Sequence, residues 1–76
     1  MAETMGDRIR EARIARRMTQ EDAAVEADLS RRTWSDLEND EVDNPYLGTV
    51  LRVATVLGMS LGALIGEKTV ASGPEM

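Results

Sequence analysis

The 76 residues carry nine Lys and Arg against fourteen Asp and Glu, a net charge of −5, with 42% hydrophobic and 30% charged residues. That is the composition of one small globular domain, neither disordered nor membranous. Without Cys or His the sequence offers no disulfide framework, no common zinc site and no imidazole- or thiol-based nucleophile pair. Carboxylate pairs remain, but a small helical domain gives them no evident cleft, so no catalytic residue, metal, cofactor or small-molecule ligand is expected.

In chain order, the opening MAETMGDRIR lacks the apolar core of a secretory signal, and no run approaches the eighteen or so apolar residues of a spanning helix. A cytoplasmic location and no membrane partner are the expectation. The first helix is predicted over Thr4 to Arg17, with Ile9, Ala12 and the stem of Arg16 turned inward and Met18 packing at its exit.

Residues 19–39, TQEDAAVEADLSRRTWSDLEN, predict a helix, a tight turn and a second helix. Ala23, Ala24 and Ala27 recur at helical spacing before the turn, and Leu29, Trp34 and Leu37 continue an apolar face beyond it. Thr19 and Asp22 have capping-box spacing, so the first of these helices starts at about Gln20. Ser30 caps the second, whose Arg31, Arg32 and Thr33 then project from the first turn. Two guanidiniums gain nothing from a helix N-terminus, where the dipole favours anions. They point to a partner outside the chain. Trp34, the single Trp, is expected to pack in the core.

After the acidic stretch NDEVDN at 39–44, Asn44 and Pro45 predict a helix start with Asn as cap and Pro in the first turn. Leu47, Val50, Leu51, Ala54 and Leu57 are its expected buried stripe, and Gly58 its stop. Ser60 caps a short last helix to about Ile65. Val53, Val56, Met59, Leu61 and Ile65 are more apolar surface than a domain of this size is expected to bury. They form either a self-association patch or ordinary core. Residues 1–65 are expected to make the domain, and 66–76, ending EKTVASGPEM, a flexible tail.

The stretch Thr19-Gln20-Glu21, Ala24, Leu29-Ser30 and Leu37-Glu38-Asn39 resembles the helix-turn-helix of the Cro/cI-type (xenobiotic-response-element) regulators. The likeness extends through Asn44-Pro45, Leu47, Leu51, Ala54, Leu57-Gly58 and Ser60-Leu61, covering roughly Ile9 to Ile65. It implies an all-α, compact five-helix, lambda-repressor-like DNA-binding domain, as in small phage repressors, restriction-modification controllers and antitoxin-type regulators. By resemblance Gln20 bonds a phosphate and braces the next helix, while Ser30, Arg31 and Arg32 meet phosphates and base edges. Thr33 and Ser35 touch the backbone or are solvated. Asp36 either contacts a base or pairs with Arg32 at four-residue spacing, and Asn39 donates to a phosphate. Arg13 and Glu38 are either a buried ion pair or two unrelated charges. Two departures stand out: Asp28 and Asp40 each occupy a position where the family usually has Gly.

The implied function is a sequence-specific transcriptional regulator that binds a two-fold symmetric operator as a homodimer, with guanine in each half-site. The net charge opposes general attraction to a polyanion. Against that, Arg8, Arg10, Arg13, Arg16, Arg17, Arg31 and Arg32 account for seven of the nine cations and lie in the first 32 residues. The alternative is a protein-interaction module of the same fold with weak or lost DNA binding, supported by the acidic loop at 40–43.

Overall fold

Hydroxyl side chains start most of the helices. In the computed structural model, which describes residues 4–66, Thr4, Thr19, Ser30 and Ser60 each accept from the amide three residues on. They open α1 (Met5–Ala15), α2 (Gln20–Glu26), α3 (Arg31–Glu38) and α5 (Leu61–Ile65). At Thr19 the capping box closes in both directions, with Asp22 accepting from the Thr19 amide. α4 (Leu47–Leu57) begins after Tyr46, which makes no side-chain cap. The described residues form five helices and no strand.

Three of the ends are equally regular. Arg17, Asp28 and Asp40 have φ of 60°, 60° and 56°. At each, two amides turn back to the final helical turn: Asp28 to Val25 and Leu29 to Ala24, for example, or Asp40 to Leu37 and Glu41 to Asp36. This is the Schellman stop, which favours glycine because a Cβ atom strains the left-handed conformation. Gly58, with φ of 67°, ends α4 in the same way without strain.

The core forms around Trp34, which is fully buried with Ile9, Ala23, Ala24, Ala27, Leu37, Val50, Val53, Ala54, Leu57 and Leu64. The three alanines let α2 lie close against α3, and α1 packs on the other side of α3 as well as on α4 and α5. Losing a side chain the size of Trp34 from such a site costs about 3–5 kcal/mol.

The expected start of the fourth helix at Asn44-Pro45 is corrected: the backbone stays extended through Tyr46, while Val42 packs on the core and Pro45 is half-buried. The stripe on α4 shifts accordingly. Val50, Val53, Ala54 and Leu57 face inward, whereas Leu47 and Leu51 are exposed. At 3.6 residues per turn those two lie roughly 70° and 110° from the centre of the buried face. Arg16 is exposed as well, its guanidinium donating to the Leu57 carbonyl at the end of α4 (3.3 Å). Beyond Gly66, the segment expected to be a flexible tail lies outside the described residues.

Asp40 differs from the other strained helix ends. Its carboxylate accepts from the Gly6 amide (2.9 Å) and the Thr4 hydroxyl (2.6 Å), so it caps α1 from the far end of α3. Gly6 fits there because a methyl group would collide with the Glu38 carbonyl oxygen and lie 2.8 Å from both Asp40 carboxylate oxygens. Replacing Asp28 by Gly should therefore raise the unfolding free energy in urea by up to about 1 kcal/mol, strain relief less the entropy glycine returns to the unfolded chain. Asp40→Gly should give no gain, because it also removes a charged cap worth about 0.5–2 kcal/mol.

Candidate nucleic-acid interface

One carboxylate fixes the inner end of α3. Glu38 is 1% exposed, and its Oε2 accepts from Arg13 Nε and Trp34 Nε1, both at 2.6 Å. Its Oε1 accepts from Gln20 Nε2 at 3.0 Å and Arg13 Nη2 at 3.3 Å, with Arg10 Nε 3.5 Å away. Donors thus arrive from α1, from α2 and from α3 itself. Burial alone pushes the Glu38 carboxyl up, but hydrogen bonds from Arg13, Gln20 and Trp34 and the Arg13 charge outweigh it and hold it below the ordinary value. Arg13 also donates to the Met18 carbonyl at 2.8 Å, which ties the α1 exit into the same cluster.

The other end of α3 is free. The helix is about 12 Å long, and its first residues, Arg31 and Arg32, are exposed, with the Arg32 side chain 88% accessible. Ser30 and Thr33 occupy each other: Ser30 Oγ accepts from the Thr33 amide and donates to Thr33 Oγ1 at 2.9 Å. Ser35 accepts from Asn39 Nδ2 at 3.4 Å, and Asn39 Oδ1 accepts from Arg10 at 3.2 Å. Asn39 is therefore bonded to α1 and to its own helix. Gln20 is half-buried and directed at Glu38, a brace between α2 and α3. Arg32 Nε lies 3.9 Å from Asp36 Oδ2, one turn on.

Most of the basic N-terminal half is turned to internal work. Arg8 donates to the Leu64 carbonyl at 2.8 Å, Arg10 and Arg13 serve Glu38, and Arg16 serves Leu57. The side chains of Arg17 and Arg31 make no hydrogen bond or ion pair among the described residues, and that of Arg32 only the long contact to Asp36. The spacing of Arg10, Arg13 and Arg16 along one flank of α1 was the available signal for this role. Of the acidic loop, Asp40 faces α1, while Glu41 and Asp43 are exposed.

The proposed self-association patch is corrected in one member: Val53 is 1% exposed and belongs to the core. Val56, Met59 and Leu61 are partly buried against that core, and Ile65 is exposed. The larger exposed apolar side chains near them are Tyr46, Leu47 and Leu51. A shallow groove of about 430 Å³ runs between Met5, Val42, Pro45, Leu47, Val50, Leu61 and Ile65.

Among known proteins, a family model described as a helix-turn-helix domain matches residues 4–66. The immunity repressor protein of Bacillus phage phi105 is 42% identical over 66 residues, which are 87% of this chain and 45% of that protein. The chain thus spans less than half the length of that relative.

Removing the Glu38 carboxylate strands Arg13 in a half-buried site, and Glu38→Ala should cost about 3–5 kcal/mol, most of the margin of a domain this size. An Arg13→Met/Glu38→Leu double variant should recover much of that loss in thermal melts. The lowered carboxyl adds stability that is complete above its unfolded value of 4.5 and is lost as pH falls through the lower folded value. Glu38→Gln should flatten that part of the acid stability profile.

Proposed function

Because the chain belongs to the helix-turn-helix family, and to its Cro/cI type, we propose that it is a sequence-specific DNA-binding transcriptional regulator of the repressor kind. Its α3 enters the major groove N-terminus first. The observation that carries this reading is the contrast between the two ends of α3. One end is held by a buried carboxylate that accepts four hydrogen bonds, and the other presents two exposed arginines on a helix terminus that does not favour them. Arg31 and Arg32 supply bidentate donors for guanine O6 and N7 or for phosphates. Gln20 keeps a second amide hydrogen for a phosphate.

The operator is a two-fold site read by a homodimer, with one α3 in each of two successive major grooves. Exposed apolar residues at Tyr46, Leu47, Leu51 and Ile65 support self-association, together with Val56, Met59 and Leu61 beside them. The protein-interaction module remains the second reading. Its support is the net charge and the exposed Glu41 and Asp43, whereas Asp40 is engaged with α1.

Electrophoretic mobility or fluorescence anisotropy with DNA from upstream of the gene, beside a random duplex, tests the proposal. Arg31→Ala and Arg32→Ala should each cost about 1–3 kcal/mol on the preferred duplex. With Arg17, Arg31 and Arg32 as the free cations of the N-terminal half, the slope of log K against log salt should be about −3 per subunit, at −0.9 per phosphate. No preference for any upstream duplex, with affinity unaffected by the arginine changes, shifts the reading to the interaction module. In sedimentation equilibrium, Leu51→Asp should convert dimer to monomer and remove the concentration dependence of the melting temperature, while the monomer stays folded, since Leu51 is exposed.

A further inference from the structure

The side chains along the exposed side of α3 divide into those already engaged and those still free to bond. Ser30 and Thr33 bond each other, and Ser35 and Asn39 are tied together and to Arg10. Arg31, Arg32 and Asp36 keep their hydrogen-bonding groups. Arg32 Nε and Asp36 Oδ2 are 3.9 Å apart, too far for a hydrogen bond, so the charges offset each other while the donors and acceptors stay unused. Among the described residues Arg32 is the one cation within ion-pair reach of Asp36.

We propose that Arg32 and Asp36 form one reading unit that requires a guanine and a neighbouring cytosine in each operator half-site, with Asp36 acting mainly by exclusion. The inference rests on the DNA-binding reading above and names the sequence class that α3 selects. A carboxylate carried between phosphates is unfavourable unless it meets N–H donors. In the major groove only the amino groups of cytosine and adenine supply them; guanine and thymine present acceptor oxygens, and guanine N7 as well. Adenine sets its own N7 acceptor beside the amino group, whereas cytosine presents N4 alone, so cytosine is the better match. Arg32 has the opposite requirement, the paired acceptors of guanine. Residues one helical turn apart have Cβ atoms about 5–6 Å from each other, against about 3.4 Å per base step on one strand. The two side chains therefore address neighbouring base pairs. Away from a matching step, Asp36 lowers affinity for all other DNA, which sharpens discrimination in a chain with few free cations.

The test is selection from a random duplex pool by the wild type, Asp36→Ala and Asp36→Asn, followed by affinities for duplexes differing only at the selected positions. All three proteins are checked for an unchanged melting temperature, as expected for a half-buried side chain with no hydrogen bond and only the long Arg32 contact. The wild type should return half-sites with cytosine next to guanine. Asp36→Ala should reduce discrimination at the cytosine by about ten- to a hundred-fold while binding thymine- and guanine-substituted duplexes more tightly than the wild type. Asp36→Asn should move the preference there to adenine, which pairs its N6 and N7 with an amide. If Asp36→Ala strengthens binding to every duplex by one common factor and leaves the selected sequence unaltered, Asp36 is only a repulsive charge and the proposal fails while DNA binding stands. A wild type that enriches no sequence overturns the DNA-binding reading, and the proposal with it.

Discussion

The Glu38 carboxylate is the constraint on which the arrangement of the helices depends. A charge taken wholly out of water is unfavourable by several kcal/mol unless its lone pairs are met. Here they are met from three helices at once, by Arg13 of α1, Gln20 of α2 and Trp34 of α3, with the Arg10 charge 3.5 Å away. Those donors sit at fixed angles on rigid elements, so satisfying the carboxylate specifies how α1 and α2 lie against α3. The apolar contacts supply the burial, and the carboxylate adds directionality to it. Ala23, Ala24 and Ala27 permit close approach but tolerate sliding, whereas a 2.6 Å charge-assisted bond does not. Trp34 joins the two kinds of constraint, filling the core with its ring and completing the cluster with its N–H.

A second layer of order sits at the helix ends, where Arg17, Asp28 and Asp40 all take left-handed conformations. For each, the stop is required by the tertiary turn, and the strain is borne locally. Asp40 shows how such strain is offset. The same residue that ends α3 starts α1, across 34 to 36 positions of sequence, and its negative charge lies where the α1 dipole favours it. The C-terminal end of α3 is thereby joined to α1 through Glu38, Asn39 and Asp40 in succession, and the free N-terminal turn projects from a support fixed at its base.

What was legible in the sequence was local. Caps at Thr19, Ser30 and Ser60 depend on residues three positions away, and the burial of Trp34 and Leu37 follows from helical period, so both could be read directly. The tolerance of Asp28 for a left-handed turn is likewise a property of the residue. The roles of Arg8, Arg10, Arg16 and Asp40 depend on carbonyls, amides and side chains brought in from distant segments; the spacing of Arg10 and Arg16 marks a shared flank but does not name their partners. The error on α4 has the same origin. Pro45 suits a helix start, yet the extended backbone through Tyr46 delays it, and a delay of two residues changes which of Leu47, Leu51 and Val53 face the core. The Arg13–Glu38 link was reached through family resemblance; composition and period alone left it open.

The net charge of −5 looks like an obstacle to a nucleic-acid role only while every arginine is counted as available. Four of the seven in the N-terminal half have guanidiniums held by backbone carbonyls or by Glu38, so fewer of them are at liberty to reach a phosphate than the sequence implies. A protein built this way has little sequence-independent attraction to phosphate, the term that supplies almost all non-specific binding. In the proposed reading the sequence-dependent contacts then fall to Arg31 and Arg32, exposed at the first turn of a firmly held helix. Discrimination depends on the ratio of specific to non-specific affinity and not on affinity alone; a uniform acidic repulsion weakens both complexes alike, so that ratio is left to the contacts α3 makes. Under the proposed DNA-binding reading the acidic surface weakens every DNA contact alike, and the buried cluster fixes the backbone of α3 from which the exposed Arg31 and Arg32 project.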